Sequence, residues 1–217
     1  MDRTEHTAYD LTMTAVDDPW LMLTPAGVLH AYAKRIPDEQ TLALQALMPC
    51  GRALKRAEWL ALASNHAALL STALNEGWVH EVHRSLRAPD AKLDHHLPHV
   101  IAGLSAQRTV ALGSGDGFCL ARVGYSEDEA ETLCAMAAEF ADFVDRQHAR
   151  GWSGIGRAAS FFEGFDMLMP STSLVLFWVD GVSYWLILGG EPLINNTALV
   201  ELVWGLRAAG AKFSLGA

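Results

Sequence analysis

The sequence predicts an α+β protein with a helical first half and a second half built around an antiparallel sheet. Two Asp-Gly pairs, Asp116-Gly117 and Asp180-Gly181, each lie between apolar runs, which is the pattern of a β-hairpin. A long helical pattern separates the two hairpins, and several shorter helical patterns occur before them. We expect an N-terminal tail at 1–19, a helical domain at 20–88 and an α+β domain at 89–217.

The first hairpin carries three alternate glycines, Gly113, Gly115 and Gly117, which also invite comparison with a phosphate-binding loop. Such a loop would pass directly into the N-terminus of a helix and usually carry a lysine. Here the alternating run from Phe118 to Val123 follows, and that pattern is typical of a strand. The glycines therefore favour a tight turn, in which Gly117 supplies a positive φ.

The long helix begins at Ser126, because Ser126 and Glu129 have the spacing of a capping box. Its apolar side chains recur at helical spacing, with small alanines between them. We expect a stripe wider than its own sheet requires, and hence a homodimer built from the helix at 127–148 and the adjacent sheet edge. The alternative is an ordinary sheet-facing core. The expected interface residues are Leu133, Met136, Ala137, Phe140, Phe143 and Val144.

The second half has the predicted element order αββαβββα. It begins with a short helix in "LDHHLPHVIAGL" and ends with a helix in "NNTALVELVWGLRAAG". A strand through 154–170 precedes the second hairpin. We expect five antiparallel strands with helices on one face and at the ends, which form a sandwich layer.

The first half shows four helical patterns. One begins at Thr24-Pro25, a second at Asp38 with Leu42 and Leu44 near one face, and the last ends at Gly77. The stretch "LLSTALNEGWVHEV" then passes from a helix into a short strand. This arrangement resembles a winged helix, in which that helix would be the third one and the strand would lead into the wing.

A winged helix would raise the question of DNA binding. The residues available for nucleic-acid contact are Arg52, Lys55 and Arg56, on the turn and helix before the third one. The third helix itself offers His66, Ser71, Thr72 and Asn75 but no lysine or arginine. Base readout usually needs such side chains, so the sequence favours a protein-docking or structural module over tight DNA binding.

The second half, over residues 93 to 210, resembles the Roadblock/dynein light-chain family. The resemblance rests on the element order, on "VALGSGDGFCLARVG" and on the acidic helix start "SEDEAETLCAMAAEF". The aromatic runs "FFEGFDM" and "LFWVDGVSYWLIL" are heavier than is usual in that family. The resemblance implies a non-catalytic module that homodimerises and binds or regulates small Ras-like GTPases or serves as a scaffold. The alternative is a winged-helix transcriptional regulator with a C-terminal dimerisation or ligand-sensing domain.

Composition narrows the possible partners. The net charge of −9 is divided into −4 over residues 1–19, +1 over residues 20–90 and −6 over the remainder, which disfavours a general nucleic-acid surface. Cys50, Cys119 and Cys134 form no CxxC pair, as expected for reduced thiols. The sequence shows no signal peptide and no apolar run long enough to span a bilayer. We therefore expect a cytoplasmic protein without membrane insertion.

The sequence predicts no catalytic residue, no cofactor and no metal. His95 and His99 are four residues apart, yet Pro98 disturbs their helix and no cysteine or paired carboxylate accompanies them. Cys119 and Cys134 lie in apolar surroundings, where a thiol is usually inert. Ser153 in "WSGIG" lacks the last glycine of a nucleophile elbow.

Overall fold

The computed structural model describes residues 18–90, 93–152, 156–164 and 167–214, with side chains to residue 210. The predicted tail at 1–19 lies almost wholly outside the described residues, as do Ser153 and part of "FFEGFDM". The first half contains β1 (Trp20–Leu23), α1 (Pro25–Ala31), α2 (Glu39–Gln45), α3 (Arg56–Leu60), α4 (His66–Asn75) and β2 (Val79–Val82).

The helix starts of the first half follow from side-chain capping. Thr24 accepts a hydrogen bond from the Gly27 amide, and Pro25 is the first helical residue of α1, as the sequence predicts. Asp38 caps α2 in the same way. Leu42 was expected on the apolar face of α2 but is exposed, whereas Leu44 is fully buried. The prediction for Leu42 was wrong because α2 is only two turns long and buries one narrow side.

The sequence did not predict β1, although it predicted β2 after Gly77. The two strands pair antiparallel, with Leu23 opposite Val79. Gly27 permits the close packing beside them, because a Cβ at that position would overlap the Trp78 carbonyl. The short strand β1 is an apolar tetrapeptide without alternation, so its pattern alone does not identify a strand.

The second half has the predicted order. Its elements are α5 (Leu93–Ile101) with a 3-10 turn at Ala102–Leu104, β3 (Val110–Ser114), β4 (Cys119–Val123), α6 (Glu127–Ala149), β5 (Ala158–Phe161), β6 (Thr172–Val179), β7 (Val182–Gly189) and α7 (Thr197–Ser214). The five strands form one antiparallel sheet in the order β4-β3-β7-β6-β5. Where the structure describes the strand expected through 154–170, it forms β5. These helices and strands confirm an α+β protein.

Both predicted hairpins are present. Gly117 has a φ of 86° between β3 and β4, and Asp180 and Gly181 have φ values of 49° and 83° between β6 and β7. Two successive positive φ values are the geometry of a two-residue turn whose twist matches the strands. Ser126 and Glu129 form the predicted capping box of α6.

The sheet is covered on both faces, whereas the sequence predicted helices on one face and at the ends. Helix α6 packs over the side chains of Ala111, Leu174 and Trp185. The opposite face, which includes Leu112 and Phe177, packs in one hydrophobic core with α5 and α7. Strands β3, β6 and β7 are apolar on both sides, as strands with two covered faces must be.

That second core continues into the first half of the chain. Trp204 in α7 donates its indole N–H to the Pro49 carbonyl at 2.6 Å, and Arg207 donates to the carbonyls of Gln45 and Met48. The Trp178 amide of β6 donates to the Tyr32 carbonyl at 3.1 Å. The helical half therefore packs against the sheet half through buried side chains and direct hydrogen bonds.

Candidate interaction surface

Helix α6 uses its smallest residues to approach the sheet. Ala130, Cys134 and Ala137 are fully buried against Ala111 and Trp185. Ala137 was among the expected interface residues, and its side chain is fully buried within its own chain. The placement is physical: small residues let a helix lie close to a sheet, just as they let two helices approach.

The other expected interface residues flank this buried line. Leu133, Met136, Phe140 and Val144 are half-buried, and the Phe140 ring meets Trp185 edge-on with centroids 6.1 Å apart. Phe143 remains 38% exposed beside Phe140. Much of the apolar stripe is therefore sheet-facing core, and Phe143 is its main exposed aromatic.

A second group of exposed apolar side chains lies on the edge strand β5 and on the segments that precede and follow it in the sequence. Among the described residues β5 pairs with β6 alone, so its outer backbone groups face away from the sheet. Phe161 is 40% exposed and Trp152 is 52% exposed. We call this group the β5 patch; it consists of Trp152, Phe161, Phe162, Met167 and Met169. Sequence reasoning noted the aromatic density of this segment but placed none of these residues in the site.

The outward face of α6 is acidic. Seven exposed carboxylates lie on this helix: Glu127, Asp128, Glu129, Glu131, Glu139, Asp142 and Asp145. Exposed cations on the helix are confined to its C-terminal end, at Arg146 and Arg150. Two such faces would repel each other.

The three basic residues proposed for nucleic-acid contact are already engaged. Arg52 donates to both carboxylate oxygens of Glu58, at 2.8 and 2.5 Å, and its guanidinium lies 4.9 Å from the Trp20 ring centroid. The Lys55 ammonium lies 5.5 Å from the same ring, and Arg56 pairs with Glu81 at 3.0 Å. In addition, His66 is buried beneath Trp59. DNA phosphates would have to compete with these contacts.

The Arg52–Glu58 pair makes stability at low pH testable. Hydrogen bonds from Arg52 and the Lys55 amide hold the pKa of Glu58 at about 2, below its ordinary 4.5. A lowered pKa stabilises the fold above pH 4.5, and that stabilisation is lost as the pH falls toward 2. We expect Glu58→Gln to lower the thermal midpoint at neutral pH, with the difference from the parent shrinking between pH 4.5 and 2.

The matched control is Glu76→Gln, which removes an exposed carboxylate that makes no ion pair among the described residues. Its midpoint should follow the parent's over the same pH range. A Glu58→Gln difference that is constant with pH would show that the lost contribution does not depend on ionisation. Differential scanning calorimetry across the range measures both.

A cavity of about 680 Å³ lies beneath the C-terminal half of α6. Trp178 and Trp185 line it, and Asp142, Asp145 and Arg157 stand at its sides. The Trp185 indole N–H is buried and has no hydrogen-bond partner among the described residues. An acceptor such as water or a ligand oxygen would satisfy that donor.

The described residues contain no group of three or more His, Cys, Asp or Glu side chains placed to hold a metal ion. Burial raises the pKa of the Cys134 thiol to about 12, so it is a thiol and not a thiolate at neutral pH. Within the same described ranges, no helix is both long and apolar enough to cross a membrane.

Comparisons with known proteins give limited information. Neither the protein-family models nor the curated proteins yield a match to this sequence. Among solved structures, the chain is similar to the Roadblock/LC7 domain from Streptomyces avermitilis, with 17% identity and a TM-score of 0.36, over 58% of this chain and 100% of that one. An overlap of that extent does not establish a shared fold, so the architecture rests on the strand order and packing given above.

Proposed function

We propose that this chain is a non-catalytic regulatory or scaffold protein that self-associates through its second half and binds a protein partner. The observation that carries the proposal is the β5 patch beside an edge strand. Unpaired strand edges readily pair with another chain, and exposed apolar clusters of this kind commonly mark interaction sites. The Roadblock-like element order agrees with such a role.

A two-fold axis beside β5 suits this surface. Two copies of β5 would then pair antiparallel and join the sheets edge to edge, while each copy's Phe143 and β5 patch would be covered by the other copy. The acidic outer faces of the two α6 helices would stay in solvent. An interface of the standard size buries on the order of 800 Å² per subunit.

The expected result is a dimer that dissociates into monomers when a charge is introduced into this surface. We expect the parent chain to be dimeric at about 10 μM, a concentration well above a nanomolar dissociation constant. Phe161→Glu and Phe143→Glu should both be folded monomers at that concentration, because each places a charge in an apolar contact without a partner. Light scattering coupled to size exclusion measures the mass.

Phe118→Glu is the control, because Phe118 is an even more exposed aromatic at the turn before β4, on the opposite edge of the sheet. It should remain dimeric. A monomeric parent would disprove self-association. A dimer that survives both charged variants would place the interface elsewhere.

The partner is proposed separately from the dimer. The resemblance implies a small Ras-like GTPase, and the acidic outer face of α6 would suit a basic surface on such a protein. Calorimetric titration of a purified Ras-like GTPase, loaded with GDP or GTP, tests the interaction. The helical half is proposed as a docking or structural module, because Arg52 and Arg56, two of its three candidate DNA contacts, are paired with Glu58 and Glu81.

A further inference from the structure

A cavity of about 510 Å³ opens at the junction of the two halves of the chain. One wall is formed by β1, β2 and the segment that follows β2, and the other by α5 and α7. Small-molecule sites commonly have volumes of about 300 to 1,000 Å³ and often lie between structural units. The cavity is therefore of a size and position suited to a small ligand.

The interior of this cavity is apolar. Met22, Leu23, Val200 and Trp204 line it and are buried in the protein core. Val82 and Leu86 extend the same lining toward the opening. An occupant would need a hydrocarbon or aromatic body to match these walls, since burying its polar groups against them would cost free energy.

The rim of the cavity carries two cations. Arg84 and Arg87 line the opening and are exposed, and neither forms an ion pair with a carboxylate in the described part of the chain. Guanidinium groups bind carboxylates through paired N–H donors, so an anionic group at the opening would find donors for which the described residues supply no acceptor.

Other polar groups limit the charge of the occupant. His96 Nε2 is buried without a hydrogen bond and lies 3.5 Å from Glu201 Oε1, and Asp90 also lines the cavity. The Glu201 carboxylate would repel a phosphate or other multiply charged group more strongly than a single carboxylate. The combination favours one negative charge on an apolar body.

We propose that this cavity binds a small amphipathic monocarboxylate, with its apolar body against Val200 and Trp204 and its carboxylate between Arg84 and Arg87. Because the walls come from both halves of the chain, the ligand would contact both at once. Occupancy would therefore stabilise their packing against each other. No residue that lines the cavity belongs to β5 or to the β5 patch, so binding at this site does not depend on self-association.

Isothermal titration of the full chain with octanoate and octylamine tests the proposal, since the two probes share a hydrocarbon chain and differ in the sign of the head group. We expect octanoate to bind with one site per chain and a dissociation constant below about 1 mM. Octylamine should bind at least about tenfold more weakly, because Arg84 and Arg87 would repel its ammonium group.

The double variant Arg84→Glu, Arg87→Glu should weaken octanoate binding by at least about tenfold and remove the preference over octylamine. The control is Arg150→Glu, which changes an exposed arginine at the end of α6 and should leave octanoate binding unchanged. Leu86→Trp and Thr197→Trp, which fill the cavity from two sides, should weaken both probes.

Circular dichroism shows whether Leu86→Trp and Thr197→Trp are folded. If neither is folded, the double arginine variant alone tests the proposal. The proposal is overturned if titration with about 1 mM octanoate shows no binding to the parent chain. It is also overturned if the double arginine variant binds octanoate as tightly as the parent does. Equal weakening by Arg150→Glu would also overturn it, because the effect would then be one of net charge.

Discussion

Ala137→Glu is expected to prevent the chain from folding. Ala137 is fully enclosed between α6 and the sheet, among side chains of the core that includes Ala111 and Trp185. A glutamate there would need space that a packed core does not contain, and its carboxylate would be buried without a cation. Such a change costs several kcal/mol, a large part of the roughly 5 to 15 kcal/mol that stabilises a typical domain.

The measurement is urea unfolding followed by circular dichroism, beside the parent and Ala135→Glu. Ala135 lies two residues earlier on the same helix and is exposed, so its variant should unfold near the parent's midpoint. If the Ala137→Glu variant folds and loses only its dimeric state, Ala137 would be an interface residue. That result would mean that α6 can turn on the sheet.

Much of the second half could be predicted from the sequence, because its signals are local. Asp116-Gly117 and Asp180-Gly181 specify hairpins through the φ values that their turns require. Ser126 and Glu129 specify the start of α6 through hydrogen bonds to its first amides. Each signal acts within four residues, so it can be recognised without knowledge of the tertiary fold.

The faces of the sheet and the use of α6 could not be predicted in the same way. Apolar periodicity shows that Leu133, Ala137 and Phe140 share a side of a helix, but not what covers that side. Strand β1 was missed because its pairing with β2 bridges more than fifty residues of sequence. The β5 patch depends on which strand ends at an edge, and sheet order is a property of the whole fold.

Trp204→Ala is expected to destabilise both halves of the chain together. The Trp204 side chain is almost wholly buried in the core shared by α7 and the first half. It also lines the cavity at the junction of the two halves. Removing a buried tryptophan typically costs about 3 to 5 kcal/mol. The Pro49 carbonyl, which now accepts the indole N–H at 2.6 Å, would lose its partner as well.

Because the two halves share one core, it is informative to measure which segments lose stability in the Trp204→Ala variant. Hydrogen exchange during urea unfolding, followed by mass spectrometry, reports separately on peptides from 56–76 in the first half and 172–189 in the sheet. Both should lose protection at the same, lowered urea concentration, because the two segments depend on one continuous core. Phe118→Ala, at a side chain that is 71% exposed, should shift neither segment by more than about 0.5 kcal/mol. If 172–189 is destabilised while 56–76 keeps its parental midpoint, the halves unfold independently, and the boundary near residue 88 separates two domains that only touch.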